Sequence, residues 1–284
     1  MNNILLNVSA KIDRLQQALL DILTNEAERL GLSLFITGAA ARDLILEYGY
    51  GIHPARKTGD IDFGVAVNSW DVYLEFKALL ISKHDFVQDP KRMHRLIFKD
   101  AIPVDLIPYD GVEDNNNEIH WPPDGAEVMS TLGYREAYER AINMQFSDTG
   151  FVRTVDLPDL ALLKIVAWEE RRVLGQPRKD AQDLCLILQH YLDAGHREEL
   201  YEQHMDIVEA DEFDYTKASA RVIGRVAGKQ VSAILRRKVL EILAANLKEI
   251  DGYPLAAAMG DNADAMLGLI MTFQQGFMEG LQDA

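Results

Sequence analysis

Cysteine is almost missing: Cys185 is the only one in 284 residues. Neither a disulfide framework nor a cysteine-rich zinc site can therefore form within a single chain. No apolar run approaches the roughly 18–20 residues that a bilayer span requires; the longest, such as ALLKIVAW at residues 161–168, fall far short. The opening stretch MNNILLNVSAKIDR lacks a basic region, a long apolar segment and a small-residue cleavage site, so no secretory signal is expected. The expected compartment is the cytoplasm, with no membrane partner. Positive charge is in short supply, with 29 Lys and Arg against 45 Asp and Glu for a net charge of −16. That argues against a protein that coats nucleic acid by neutralising phosphate. A Walker A pattern is absent, which disfavours P-loop kinase or ATPase chemistry. The seven histidines, at 53, 84, 94, 120, 190, 196 and 204, never fall four apart as a helical zinc site demands. They read as surface or internally satisfied groups, and Cys185, in the apolar run 184–188, reads as core.

What is present is ordinary globular composition, 48% hydrophobic and 26% charged, enough for a sizeable core in one large domain or two modest ones. The basic charge is gathered rather than spread. Lys217, Arg221, Arg225, Lys229, Arg236, Arg237, Lys238 and Lys248 face one acid, Glu241, over residues 217–248, a local balance of +7 that leaves −23 for the remainder. This island can bind an RNA phosphate backbone or pair with the acidic remainder. The acids Glu202, Asp206, Glu209, Asp211, Glu212 and Asp214 read as a solvated helix–loop face.

Periodicity predicts a helix over 9–30, with Ser9 as N-cap and Gly31 after its end. A strand is expected at 33–37, then Gly38, then a helix through 39–49. Residues 60–67 alternate as a strand, Ser69 caps a helix to about 82, and strands follow from His94 and from Ile102. The stretch 115–123, with three Asn and Pro122-Pro123, reads as a loop or insertion, and two short strands are expected between 137 and 155. From 157 the pattern is almost continuously helical, over 157–173, 181–191, roughly 211–250 and 262–282. The expected fold class is α+β: a mixed β-sheet with flanking helices over 1–156, followed by a helical domain over 157–284.

The chemistry-bearing residues fall in the first part. Asp60 and Asp62 sit two apart on an expected strand, which points both carboxylates to one face. Such a pair repels unless protonated or bridged by a cation, and hard oxygen ligands suit magnesium. Asp105 stands inside the apolar run 102–107, costly to bury unless a partner meets it. Gly38, between strand and helix, permits close backbone approach, with Arg42 one turn along able to point back at an anion.

These residues resemble the core motif of the DNA polymerase β-like nucleotidyltransferase superfamily: a Gly-containing turn, then D-x-D, then a distal Asp. Arg56-Lys57-Thr58-Gly59-Asp60-Ile61-Asp62 is similar to the R-x-T-x-D-x-D form of the abortive-infection (AbiEii/AbiGii) toxin-type nucleotidyltransferases. Gly38-Ala39-Ala40-Ala41-Arg42-Asp43 also resembles the G-G-x-x-R-D of CCA-adding enzymes. Lys164, Ala167 and Arg171, then Lys179-Asp180 and Asp183, resemble a later segment of the toxin-type family. The likeness spans roughly residues 30–190, and Ala39 departs from it where many members carry Ser or a second Gly.

The resemblance implies a Mg²⁺-dependent transfer of NMP from an NTP to an acceptor hydroxyl, with pyrophosphate released. Asp60, Asp62 and Asp105 would hold two Mg²⁺ ions, and Asp105 would assist deprotonation. Gly38, Ala39, Arg42, Arg56 and Thr58 would meet the nucleotide. Lys164 would reach the β- and γ-phosphates; alternatively it is a lysine snorkelling from an apolar helix. Arg56 either positions Asp60, binds nucleotide or is an ordinary loop residue, and Thr58 reads as a turn or supporting residue. Three acceptors are open: RNA such as the tRNA 3′ end, in a toxin-type enzyme with an antitoxin partner; a small polycation such as an aminoglycoside, drawn to the 101–130 segment, which has no Lys or Arg; or none, in a fold that binds nucleotide without turnover.

Overall fold

The computed structural model describes residues 5–175, 178–210, 213–229, 231–248 and 252–282. The chain divides into two compact units, Met1–Asp156 and Leu157–Ala284.

The first unit is built on strands β1 (Leu5–Asn7), β2 (Ser33–Thr37), β3 (Ile61–Ala66), β4 (Phe86–Gln88), β5 (Arg95–Phe98), β6 (Ile102–Tyr109), β7 (Glu118–His120), β8 (Val128–Ser130), β9 (Ile142–Gln145) and β10 (Phe151–Thr154). Eight of them form one mixed sheet in the order β1-β9-β10-β2-β3-β6-β5-β4, and β7 and β8 make a separate ribbon. The β3–β6 pair at its middle is parallel, β2–β3 and β5–β6 are antiparallel. The expected mixed sheet with flanking helices is therefore what the chain forms. The apolar runs of β2 and β6 are buried along nearly their whole length, as strands covered on both faces must be.

Helix α1 (Arg14–Arg29) buries Leu19, Leu20, Leu23 and Ala27 and packs against β2 and β10. Each such leucine contributes about 1.5–3 kcal/mol on leaving water. Its N-cap is Asp13, not Ser9: the Asp13 carboxylate accepts from the Leu15 and Gln16 backbone N–H groups while Gln16 reaches back, a capping box. Ser9 instead donates its hydroxyl to Asn7. Helix α2 (Gly38–Arg42) starts directly at the end of β2 and runs on as a wider π-helical turn, Asp43–Gly49. Helix α3 (Trp70–Lys83) is capped by Ser69 as expected, and α4 (Tyr134–Arg140) precedes β9. The 115–123 stretch, expected as loop or insertion, contains β7, which pairs with β8 in the separate ribbon.

The second unit is helical: α5 (Leu157–Val173), α6 (Arg178–His190), α7 (Arg197–Gln203), α8 (Met205–Val208), α9 (Tyr215–Lys229), α10 (Ala233–Asn246), α11 (Pro254–Met259) and α12 (Ala263–Gly280). The helical stretch expected over roughly 211–250 holds α9 and α10, with Ser232 capping the second start by accepting from the Leu235 N–H. Asp211 and Glu212 of the expected acidic face lie outside the described residues. Helices α9 and α12 approach to backbone contact: a Cβ at Gly276 would stand 2.0 Å from the Arg221 carbonyl oxygen, and one at Gly224 2.4 Å from that of Phe273. Among the described residues no helix is long and apolar enough to cross a membrane.

Candidate active site

Strand register assembles the site. Thr37 lies opposite Asp62, Asp62 opposite Asp105, and Asp105 opposite Arg95, so four neighbouring strands place these residues in one lateral row. Side chains directly opposite on neighbouring strands share a face. Asp60 precedes β3 by one residue and is half-buried. Asp105 is buried, only 7% exposed.

Arg95 joins two of the three acids. Its Nε donates to Asp105 Oδ1 at 2.6 Å and its Nη2 to Asp105 Oδ2 at 2.7 Å, a bidentate fork. The same Nη2 donates to Asp60 Oδ2 at 2.7 Å. Burial works against the Asp60 charge, but the Thr58 hydroxyl, at 2.8 Å from Asp60 Oδ1, and the Arg95 guanidinium outweigh it and hold this carboxyl below its usual range. Asp105 also lies beside His94, whose Nε2 is 3.9 Å from Asp105 Oδ2. Burial pushes the His94 imidazole down, toward its neutral form.

Gly38 closes the row from above Asp62. Its φ of +67° is a left-handed conformation, and a Cβ there would stand 2.0 Å from Asp62 Oδ2. Glycine is thus required twice over, for its backbone angle and for the space. Thr37 makes no side-chain cap to the helix that follows. Ala39 is buried at the start of that helix.

The loop carrying Asp60 is tied back to α2. Arg42 is buried, and its Nε donates to Asp43 Oδ1 at 2.8 Å while Nη2 donates to the Arg56 carbonyl at 3.0 Å. Asp43 Oδ2 accepts the Thr58 backbone N–H at 3.2 Å, and Thr58 holds Asp60. A continuous chain of hydrogen bonds therefore runs Arg42–Asp43–Thr58–Asp60–Arg95–Asp105. Arg42, expected to turn toward an anion, faces inward to hold this loop. Arg56 contributes its carbonyl to that hold. A cavity of about 130 Å³ opens beside Thr58, Gly59 and Asp60, lined also by Leu20, Ala40 and Leu44.

Lys164 belongs to the helical unit, fully enclosed there. Its Nζ donates to Asp180 Oδ1 at 2.9 Å and Asp183 Oδ2 at 2.7 Å, and Arg171 shares Asp180. The Lys164 ammonium is thus held by two buried carboxylates. The basic island is also partly spent: Arg221 and Arg225 both bond Glu279, and Arg225 also bonds Asp206. Lys229, Arg236, Arg237 and Lys238 remain exposed.

The partner that meets Asp105 is Arg95, which the sequence pattern does not single out. The available signal was the arginine at the head of the RLIF strand, where Leu96 and Phe98 take the buried positions and leave Arg95 on the other face. Among the described residues, Asp114, Glu118 and His120 also bring three possible ligand atoms within 4.8 Å of one another. That grouping is accounted for by a turn, in which Asp114 Oδ1 accepts the Asn116 and Glu118 N–H groups. A larger groove of about 680 Å³ runs past Lys77, Met93 and Trp121, and the three acids do not line it.

The acids fit a cation, because Asp60 and Asp105 already share one: a single guanidinium nitrogen bonds both. All the donors offered are hard carboxylate oxygens, the chemistry that Mg²⁺ prefers.

No protein-family model matches this chain, and no curated protein does. Solved structures with a similar chain path include the antibiotic-resistance factor ANT(2'')-Ia, at 14% identity over 70% of this chain and 97% of that one, with a TM-score of 0.36. A nucleotidyltransferase-like protein from Paracoccidioides brasiliensis matches at 14% identity over 72% and 93%, with a TM-score of 0.39. The Thermotoga maritima CCA-adding enzyme in complex with tRNA matches at 14% over 97% and 83%, with a TM-score of 0.28. At these scores the likenesses carry no argument about chemistry, which rests on the residues themselves.

Proposed function

We propose that this chain is a nucleotidyltransferase that moves NMP from an NTP to an acceptor hydroxyl. The observation that carries the reading is the lateral row of Asp62 and Asp105 on adjacent parallel strands, with Asp60 tied to Asp105 through Arg95 and the Gly38 backbone pressed against Asp62. In the reaction the acceptor oxygen forms a bond to the α-phosphorus, the bond from that phosphorus to the β-bridging oxygen breaks, and pyrophosphate leaves. Asp60, Asp62 and Asp105 would hold the two Mg²⁺ ions, which supply activation of the acceptor hydroxyl and neutralisation of triphosphate charge. The lack of a side chain at Gly38 leaves room for the Asp62 carboxylate itself. Thr58 and the Arg42–Asp43 pair hold Asp60 in place, and a fixed acid supports an oriented reaction. By the resemblance, Asp105 would assist deprotonation of the acceptor hydroxyl. Lys164 is assigned to holding the helical unit through Asp180 and Asp183, and Arg56 to the Asp60 loop.

The acceptor we favour is RNA, such as a tRNA 3′ end, because Lys229, Arg236, Arg237 and Lys238 stay exposed after Arg221 and Arg225 are paired. A toxin-type role would add an antitoxin protein as partner. A polycationic small molecule is the second reading, favoured by the exposed acids Asp110, Asp114, Asp124 and Glu127.

The test is transfer of label from each α-labelled NTP, with Mg²⁺, into a cell extract separated into RNA, protein and small molecules. The expected result is labelled RNA with the native chain, no label with the Asp60→Ala/Asp62→Ala double variant, and less label with Arg236→Glu/Arg237→Glu. Label in small molecules, indifferent to the arginine change, would move the assignment to the second reading. NTP binding without any transfer would refute the enzymatic reading.

A further inference from the structure

The three bonds of Arg95 are unequal, and the inequality has a functional reading that rests on the carboxylates being a cation site. The Asp105 arm is bidentate and buried, with side chains 13% and 10% exposed for Arg95 and Asp105. The Asp60 arm is a single bond to a carboxylate that is 36% exposed. Charge-assisted bonds keep most of their strength only away from water, so the Asp60 arm is the one that opens. A point charge such as an ammonium could not hold both oxygens of Asp105 and still reach Asp60; the planar fork does.

Arg95 is also held from behind. Its carbonyl accepts the Asp89 N–H at 3.1 Å and the Gln88 side-chain amide at 3.0 Å, and its own N–H bonds the Arg92 carbonyl at 3.1 Å. The same Gln88 amide bonds the carbonyls of Arg92 and Asp89, and Asp89 Oδ1 accepts the Lys91 and Arg92 N–H groups. The 88–95 turn is thus closed on itself, and the guanidinium is presented at a set height over the sheet. Without a cation of some kind, the Asp60 and Asp105 carboxylates would face each other as like charges.

We propose that Arg95 is the resident counter-ion of this cluster, and that a divalent cation binds by displacing its Nη2 from Asp60 while the fork to Asp105 stays closed. Arg95 then sets the affinity of the site, because every bound ion costs the Asp60–Arg95 bond, and it keeps the ion-free cluster assembled. It is a positioning residue, acting through the two acids.

The experiment uses the full chain without nucleotide, with Mn²⁺ binding followed by electron paramagnetic resonance, and melting followed in chelator and in excess Mg²⁺. Arg95→Lys, which keeps a positive charge at Asp105 but has a shorter reach toward Asp60 and no fork, is expected to bind Mn²⁺ about tenfold more tightly, or about 1.4 kcal/mol. Its melting temperature should fall in chelator and recover more than the native chain's on adding Mg²⁺. In the native chain, Mg²⁺ should speed exchange of the Arg95 Nη protons in ¹H–¹⁵N spectra and leave the Nε proton protected. That readout needs no variant to fold. Equal Mn²⁺ affinity in native chain and variant, or no change in the Arg95 signals when Mg²⁺ binds, would overturn the displacement proposal and leave the cation site standing. No Mn²⁺ bound by either would overturn the cation-site reading, and this proposal with it.

Discussion

Substituting Gly38 by alanine puts a methyl group where the Asp62 carboxylate now lies. The added Cβ would stand 2.0 Å from Asp62 Oδ2 and 2.8 Å from Asp62 Cγ, well over an ångström inside an ordinary contact. The backbone of Asp62 cannot retreat, because it is paired on both sides, with Thr37 and with Asp105. The carboxylate must therefore rotate away from its present position. The left-handed φ of +67° adds strain for any residue but glycine, about 1–3 kcal/mol. A misplacement of about 1 Å at a reacting centre costs on the order of 100-fold in rate, equivalent to about 2.7 kcal/mol of barrier. Gly38→Ala should thus lose about 1–3 kcal/mol of stability by urea unfolding and about 100-fold in single-turnover transfer from α-labelled NTP. Gly268→Ala is the matched control: it lies in α12 with its nearest neighbour at 3.8 Å. It should gain up to about 1 kcal/mol from helix propensity with transfer unchanged. A Gly38→Ala chain with native stability and native transfer would refute the placement of Gly38 against Asp62.

Two further outcomes concern the helical unit. The Arg225 guanidinium beside Asp206 pulls that carboxyl from 3.8 to about 2, so its contribution is fully present above the unfolded value and is lost as pH falls from about 4 through about 2. Melting curves between pH 5 and pH 2 should show the loss in the native chain and a flatter profile in Asp206→Asn; identical profiles would refute it. Lys164→Met leaves Asp180 and Asp183 buried without the ammonium that bonds both, and should cost about 3–5 kcal/mol in urea unfolding. A loss below about 1 kcal/mol would show that the network is not the structural pair described.

Local pattern was readable where it repeated over several residues. The strands at 33–37 and 102–109, the helix after Ser69 and the helical character beyond 157 all follow from apolar periodicity. Local signals compete at the start of α1, where the capping box between Asp13 and Gln16 sets the N-cap at Asp13 and not at Ser9. The ribbon of β7 and β8 leaves no sequence signal, because each strand has only three residues, too few for alternation to register. Where α10 begins is set by Ser232, whose hydroxyl accepts the Leu235 N–H, a local cap that apolar periodicity does not show.

The sequence by itself determined that Asp60 and Asp62 stand two apart, that an acid is embedded in the apolar run of β6, and that a glycine separates a strand from a helix. Those are properties of neighbours along the chain, governed by backbone period and the solvation of each side chain. Only the tertiary structure decided that Asp62 lies beside Asp105 and that Arg95 holds Asp105 and Asp60 together. It also decided that Arg42 turns inward to Asp43, and that Lys164 is enclosed by Asp180 and Asp183. These pairings depend on strand register and helix packing between residues far apart in sequence. A shift of register by one residue would turn the Asp105 side chain to the opposite face of the sheet.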